Sequence, residues 1–95
     1  MVNKMDNKTK EVMDILQEEC AEVIVAVSKI SRFGIDNMKP GKNQTNRQHL
    51  EEEIGDLMAM ITILVDKGIV NRVQLEQAEA AKIEKLKQWS SIFKD

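Results

Sequence analysis

Seven carboxylates fall in two short stretches of this chain whose neighbours are strongly apolar. Glu18, Glu19 and Glu22 lie in Gln17-Glu18-Glu19-Cys20-Ala21-Glu22-Val23-Ile24-Val25. Glu51, Glu52, Glu53 and Asp56 lie in Leu50-Glu51-Glu52-Glu53-Ile54-Gly55-Asp56-Leu57-Met58. An ionised carboxylate beside a core is costly unless it is paired or holds a metal. No lysine or arginine occurs between Gln17 and Ser28 or between Gln48 and Val65, so neither stretch carries its own counter-charge. At the helical turn of about 100° per residue, Glu18 and Glu22 stand about 40° apart, and Glu19 about 60° from Glu22. In the second stretch Glu53 is about 60° from Asp56 and Glu52 about 40° from it, so either can share a face with it. Two such faces turned toward each other repel unless a cation lies between them. Carboxylate oxygen alone selects a hard ion, with Mg²⁺ first, Mn²⁺ second and Ca²⁺ a poorer third.

The elements that must carry these groups are helices. Val12, Ile15, Leu16, Glu19, Val23, Ala26, Val27 and Ile30 recur at three- and four-residue spacings, which predicts a first helix from about Asn7 to Arg32. The β-branched run Val23-Ile24-Val25 sits between helix formers and stays in that helix. Residues 33–46 hold Gly34, Pro40 and Gly41 and read as a loop. Thr45 followed by Gln48 has capping-box spacing, which starts a second helix near Asn46. That helix ends at about Lys67 before Gly68. Asn71 with Gln74 opens a third helix, which runs to about Trp89. The expected fold is all-α, one domain over residues 1–95. Past Asp56 the second helix is apolar on nearly every side, from Leu57 to Val65, and two further helices cannot surround it. A helical bundle completed by homo-oligomerisation, as dimer or tetramer, is the expectation. A chain of 95 residues buries only about two-thirds of its unfolded surface, which favours the same outcome.

Several residues have plainer readings. Glu51 and Glu52 near the start of the second helix complement its dipole. His49 lies one turn before Glu53 and could orient it, or simply be solvated. Cys20, the lone cysteine, has glutamate neighbours and no base partner, so it reads as a small core residue. Phe33 and Trp89 read as packing residues, with stacking on an aromatic ligand ring as the alternative. A carboxylate-bridged di-iron bundle is excluded, because that site needs two Glu-x-x-His motifs and the chain has one histidine. A net charge of −2 gives no basic footprint for nucleic acid. No apolar run reaches the roughly 18 residues of a membrane span. Met1 to Lys10 are polar, unlike a signal peptide, so a cytoplasmic setting is expected.

Glu18-Glu19-x-x-Glu22 on one helix, followed by Glu53-x-x-Asp56 on the next, resembles the all-α nucleoside triphosphate pyrophosphohydrolase superfamily. The MazG-like members are the nearest in pattern, and the resemblance covers about residues 10–90. It implies hydrolysis of (d)NTPs to the monophosphate and pyrophosphate, a house-cleaning of the nucleotide pool, with Mg²⁺ as cofactor. It implies Glu19, Glu22, Glu53 and Asp56 as metal ligands and Glu18 as the residue that activates water. A triphosphate also needs cations on its remaining oxygens. Lys39 and Lys42 in the loop, with Lys82 and Lys85 on the third helix, are the substrate-binding candidates. The chain departs from many relatives in having no Asn or Arg in Glu79-Ala80-Ala81-Lys82-Ile83-Glu84-Lys85-Leu86, and it has no tyrosine, so the resemblance implies no particular base. Phosphoribosyl-ATP is a second substrate reading, and a non-catalytic nucleotide- or protein-binding helical dimer a third.

Overall fold

The computed structural model describes residues 5–94. The reading of Met1 to Lys10 as leaderless therefore lies partly outside the described residues. Three helices are present: α1 (Asn7–Phe33), α2 (Asn46–Asp66) and α3 (Arg72–Trp89). Among the described residues there is no strand, only an isolated antiparallel bridge between Met38 and Thr45. No described helix is long and apolar enough to cross a membrane.

Local chemistry sets the helix ends. The Asp6 carboxylate accepts the Thr9 N–H at 2.7 Å and opens α1. Gly34, at φ 98°, closes it by donating its N–H to Ile30 O. At α2 the capping box is complete: the Thr45 hydroxyl accepts the Gln48 N–H at 3.1 Å, and the Gln48 amide oxygen accepts the Thr45 N–H at 2.9 Å. Thr45→Ala removes the first of these bonds and should lower stability by about 1 kcal/mol in chemical denaturation. Asn71 caps α3 through the Gln74 N–H at 3.2 Å.

The chain forms two compact units, Met1–Ile63 and Leu64–Asp95. In the first, α1 and most of α2 form an antiparallel hairpin, because Asn46 at the start of α2 bonds the Gly34 carbonyl just past α1. Its buried residues are Val12 and Ala26 on α1, and Met60 with the polar Asn46 on α2. The second unit holds the last turn of α2, the Gly68 turn and α3, and buries Leu64. No residue of α3 is buried. Trp89, expected to pack, is 83 % exposed, and Phe33 is exposed beneath the Arg32 guanidinium at 4.8 Å. Phe33 is the last residue of α1 and lines a cavity with the loop residues Asn37, Lys39 and Pro40. Cys20 is exposed as well, correcting its reading as a core residue. It lies about 80° around α1 from Val12 and about 120° from Ala26, off the buried stripe.

Candidate metal centre

The buried residues show why two acids stand apart from the other five. Val12, Glu19 and Ala26 follow one another at seven-residue intervals on α1, and Asn46, Glu53 and Met60 do the same on α2. Seven residues bring a helix back to within about 20° of its starting direction. Glu19 and Glu53 are therefore the middle members of the two stripes that face each other, and both are partly buried. Glu52 lies about 80° from Met60 and turns outward, where it accepts the Gln44 side-chain N–H at 2.8 Å. Glu53, not Glu52, is the acid brought beside Glu19 and Asp56.

One turn beyond Glu53, Asp56 completes the group. Carboxylate oxygens of Glu19, Glu53 and Asp56 lie within 4.8 Å of one another. Glu22 is exposed and stands outside this trio, and Glu18 is exposed as well. Both still act on it. Partial burial first, then the charges of Asp56, Glu53, Glu22 and Glu18, hold the Glu19 carboxyl above its ordinary value. Among the described residues no lysine or arginine forms an ion pair with the trio. The nearest basic group is His49, whose Nε2 sits 3.3 Å from Glu53 Oε1. Oxygen-only donors, gathered under mutual repulsion and short of counter-charge, fit a hard divalent cation.

The candidate substrate lysines divide between the two units. Lys39 and Lys42 are in the α1–α2 loop, and Lys82 and Lys85 are exposed on α3. Lys39 and Lys42 end a tight turn in which the Lys42 N–H donates to Lys39 O at 3.0 Å, with Pro40 second and Gly41 third at φ 83°. That is a type II turn, which keeps its end residues within about 7 Å. With Lys29, Asn46 and His49 they line a cavity of about 70 Å³. A larger adjoining cavity of about 290 Å³ shares Lys29, Lys39 and Asn46 and adds Phe33, Asn37 and Pro40. Lys29 and Asn46 escaped the reading of the sequence. The one available signal was that Lys29 is the first cation after the cation-free stretch that ends at Ser28.

The family model for the MazG nucleotide pyrophosphohydrolase domain matches residues 7–90, a span that crosses both units. No curated protein and no solved structure matches the chain.

Proposed function

Since the chain belongs to the MazG nucleotide pyrophosphohydrolase domain family, we propose that it is a Mg²⁺-dependent hydrolase of (d)NTPs, releasing the monophosphate and pyrophosphate. The observation that carries this reading is the Glu19–Glu53–Asp56 trio, with its oxygens within 4.8 Å. In it Glu19, Glu53 and Asp56 would hold the metal, with Glu22 joining from the next turn of α1. When bound, the ion neutralises phosphate charge and stabilises the leaving pyrophosphate. Without that, a triphosphate of about four negative charges would be repelled by these acids.

The side chains do the rest. Glu18, exposed beside the trio, would accept a proton from water as the water oxygen attacks phosphorus in line. The phosphorus–oxygen bond to the pyrophosphate group then breaks, and its electron pair leaves with that group. Glu18 later returns its proton to solvent. Lys39, Lys42, Lys82 and Lys85 would steady phosphate oxygens as point charges. The domain works as one MazG-like unit over residues 1–95, in the cytoplasm, on a free nucleotide. Pyrophosphate release from a panel of ribo- and deoxynucleoside triphosphates, with Mg²⁺ and with EDTA, tests the proposal. Metal-dependent release supports it, and no release from any triphosphate sinks it.

The reading also includes a homo-oligomer. Ile24 on α1 is 69 % exposed and Met58 on α2 is 61 % exposed, with Val25, Val27, Ile54 and Ile61 exposed beside them in the sequence. Apolar surface of this kind is normally covered in water. Met58→Lys should convert a dimer or tetramer to the monomer in light scattering. A wild-type chain that already has the monomer mass at micromolar concentration overturns this part.

A further inference from the structure

The lysine-lined cavity is not explained by the metal centre. Lys29, Lys39 and Lys42 have no carboxylate within ion-pair distance among the described residues, although the chain carries 16 acidic residues. Two acids nearby in sequence are occupied elsewhere: Asp36 holds Arg47 at 3.0 Å, and Glu52 holds Gln44 at 2.8 Å. Ammonium groups gathered around about 70 Å³ repel one another, and an anion among them relieves that repulsion. The backbones of two of the three are held at the ends of the type II turn. Asn46 also lines the cavity, but it is buried and its amide N–H is committed to Gly34 O at 2.8 Å, so the cationic groups are the lysines.

The position of the cavity relative to the acids is informative. Lys29 stands ten residues beyond Glu19 on α1, and Asn46 ten residues before Asp56 on α2. Each interval is about 15 Å of helix. His49 lines the cavity and touches Glu53, so cavity and acids adjoin along the same face. The wider cavity beyond it presents the exposed Phe33 ring and Pro40, a surface suited to a flat heterocycle. The order along the hairpin is ring surface, cationic cavity, acidic trio.

We propose that Lys29, Lys39 and Lys42, with His49, form a metal-independent subsite for one phosphate group, the one that stays on the nucleoside monophosphate, and that the cavity beside Phe33 receives its base. This rests on the reading of the chain as a nucleotide hydrolase for its biological sense, but the binding it asserts does not need turnover. The substrate lies along the hairpin with its base at the loop and its pyrophosphate end at the acids. The monophosphate then remains on the lysines when pyrophosphate departs.

Nucleoside 5′-monophosphates, inorganic phosphate and inorganic pyrophosphate, titrated into the full chain in EDTA and followed by calorimetry and amide NMR shifts, test the proposal. A monophosphate should bind without metal and shift the amides of Lys42, Gln44 and His49. The Lys29→Met, Lys39→Met, Lys42→Met triple variant should weaken it by about tenfold or more. Phe33→Ala should weaken the monophosphate but not inorganic phosphate. Lys8→Met, which changes charge at the far end of α1, controls for net charge. A melting temperature that still responds to Mg²⁺ in the triple variant shows that its fold and acidic site persist. Absence of monophosphate binding in EDTA overturns the proposal, as does equal binding to the triple variant. Pyrophosphate binding more tightly than the monophosphate would overturn its assignment to the monophosphate half. An inactive protein that still bound the monophosphate on these lysines would sink the hydrolase reading and leave the subsite standing.

Discussion

Glu53→Gln is expected to lose pyrophosphate release by about two to three orders of magnitude, since a metal's charge stabilisation amounts to several kcal/mol of the barrier. The substitution keeps the volume of the side chain and removes one charge from the trio, so the fold should survive it. His49 would lose its carboxylate partner at 3.3 Å, but it is only partly buried and can turn to solvent. Glu52→Gln is the informative comparison. It sits one residue away with the same chemistry, yet faces Gln44, so its activity should stay within a few-fold of wild type. Equal losses in both variants would mean that general negative charge, not a defined ligand, supports the reaction. Steady-state release of pyrophosphate at saturating Mg²⁺ makes the comparison.

The second large effect is on stability. Mg²⁺ at about a hundredfold above its dissociation constant should raise the melting temperature on the order of 10 °C, by binding only the folded state. In EDTA the sign turns against the acids. The Glu19 carboxyl is held above 4.5 in the fold, so the folded chain keeps that proton more firmly than the unfolded chain. Deprotonation therefore favours unfolding, and this contribution worsens as pH rises from 4.5 through the raised folded value. Asp36 has the opposite sign. Arg47 lowers it, so its contribution is present at neutral pH and fades as pH falls through its folded value. The difference between wild type and Glu19→Gln isolates the first effect. The variant should be the more stable chain in EDTA at pH 7, lose that advantage near pH 4, and gain less from Mg²⁺. A variant less stable than wild type in EDTA at pH 7 would show that Glu19 does not carry the repulsion.

Much of this was legible in the chain because short-range chemistry decides it. Asn71–Gln74 and Thr45–Gln48 are local signals that need no tertiary context, and all three helices lie where periodicity and caps place them. The acids were legible as a set for the same reason. Their ranking was legible in part, since Glu19, Glu22, Glu53 and Asp56 border apolar stripes, and a sharper signal is also in the sequence: Val12–Glu19–Ala26 and Asn46–Glu53–Met60 are core intervals with an acid at each centre. Reading Glu53 against Asp56 alone leaves Glu52 equivalent; reading it against Met60 separates them. Cys20 and Trp89 misled because hydrophobic type says nothing of direction, and in a chain with so few buried side chains many apolar residues face outward. Lys29 was hidden because its neighbours in space, Lys39 and Lys42, are more than nine residues away across a turn.

The loop that carries those lysines is tied at its base. Met38 and Thr45 form a bridge, the Asn46 N–H donates to Asn37 O at 3.0 Å, and the Arg47 N–H donates to Ile35 O at 2.8 Å. Apart from Gln44, whose side chain donates to Glu52 on α2 at 2.8 Å, residues 39–44 form a closed tip distal to these bonds. The tip is thus an exchangeable cassette. Its other residues could be rewritten, or a tip from another hairpin grafted, to retune the proposed phosphate subsite, while the acidic trio on the helices stays as it is.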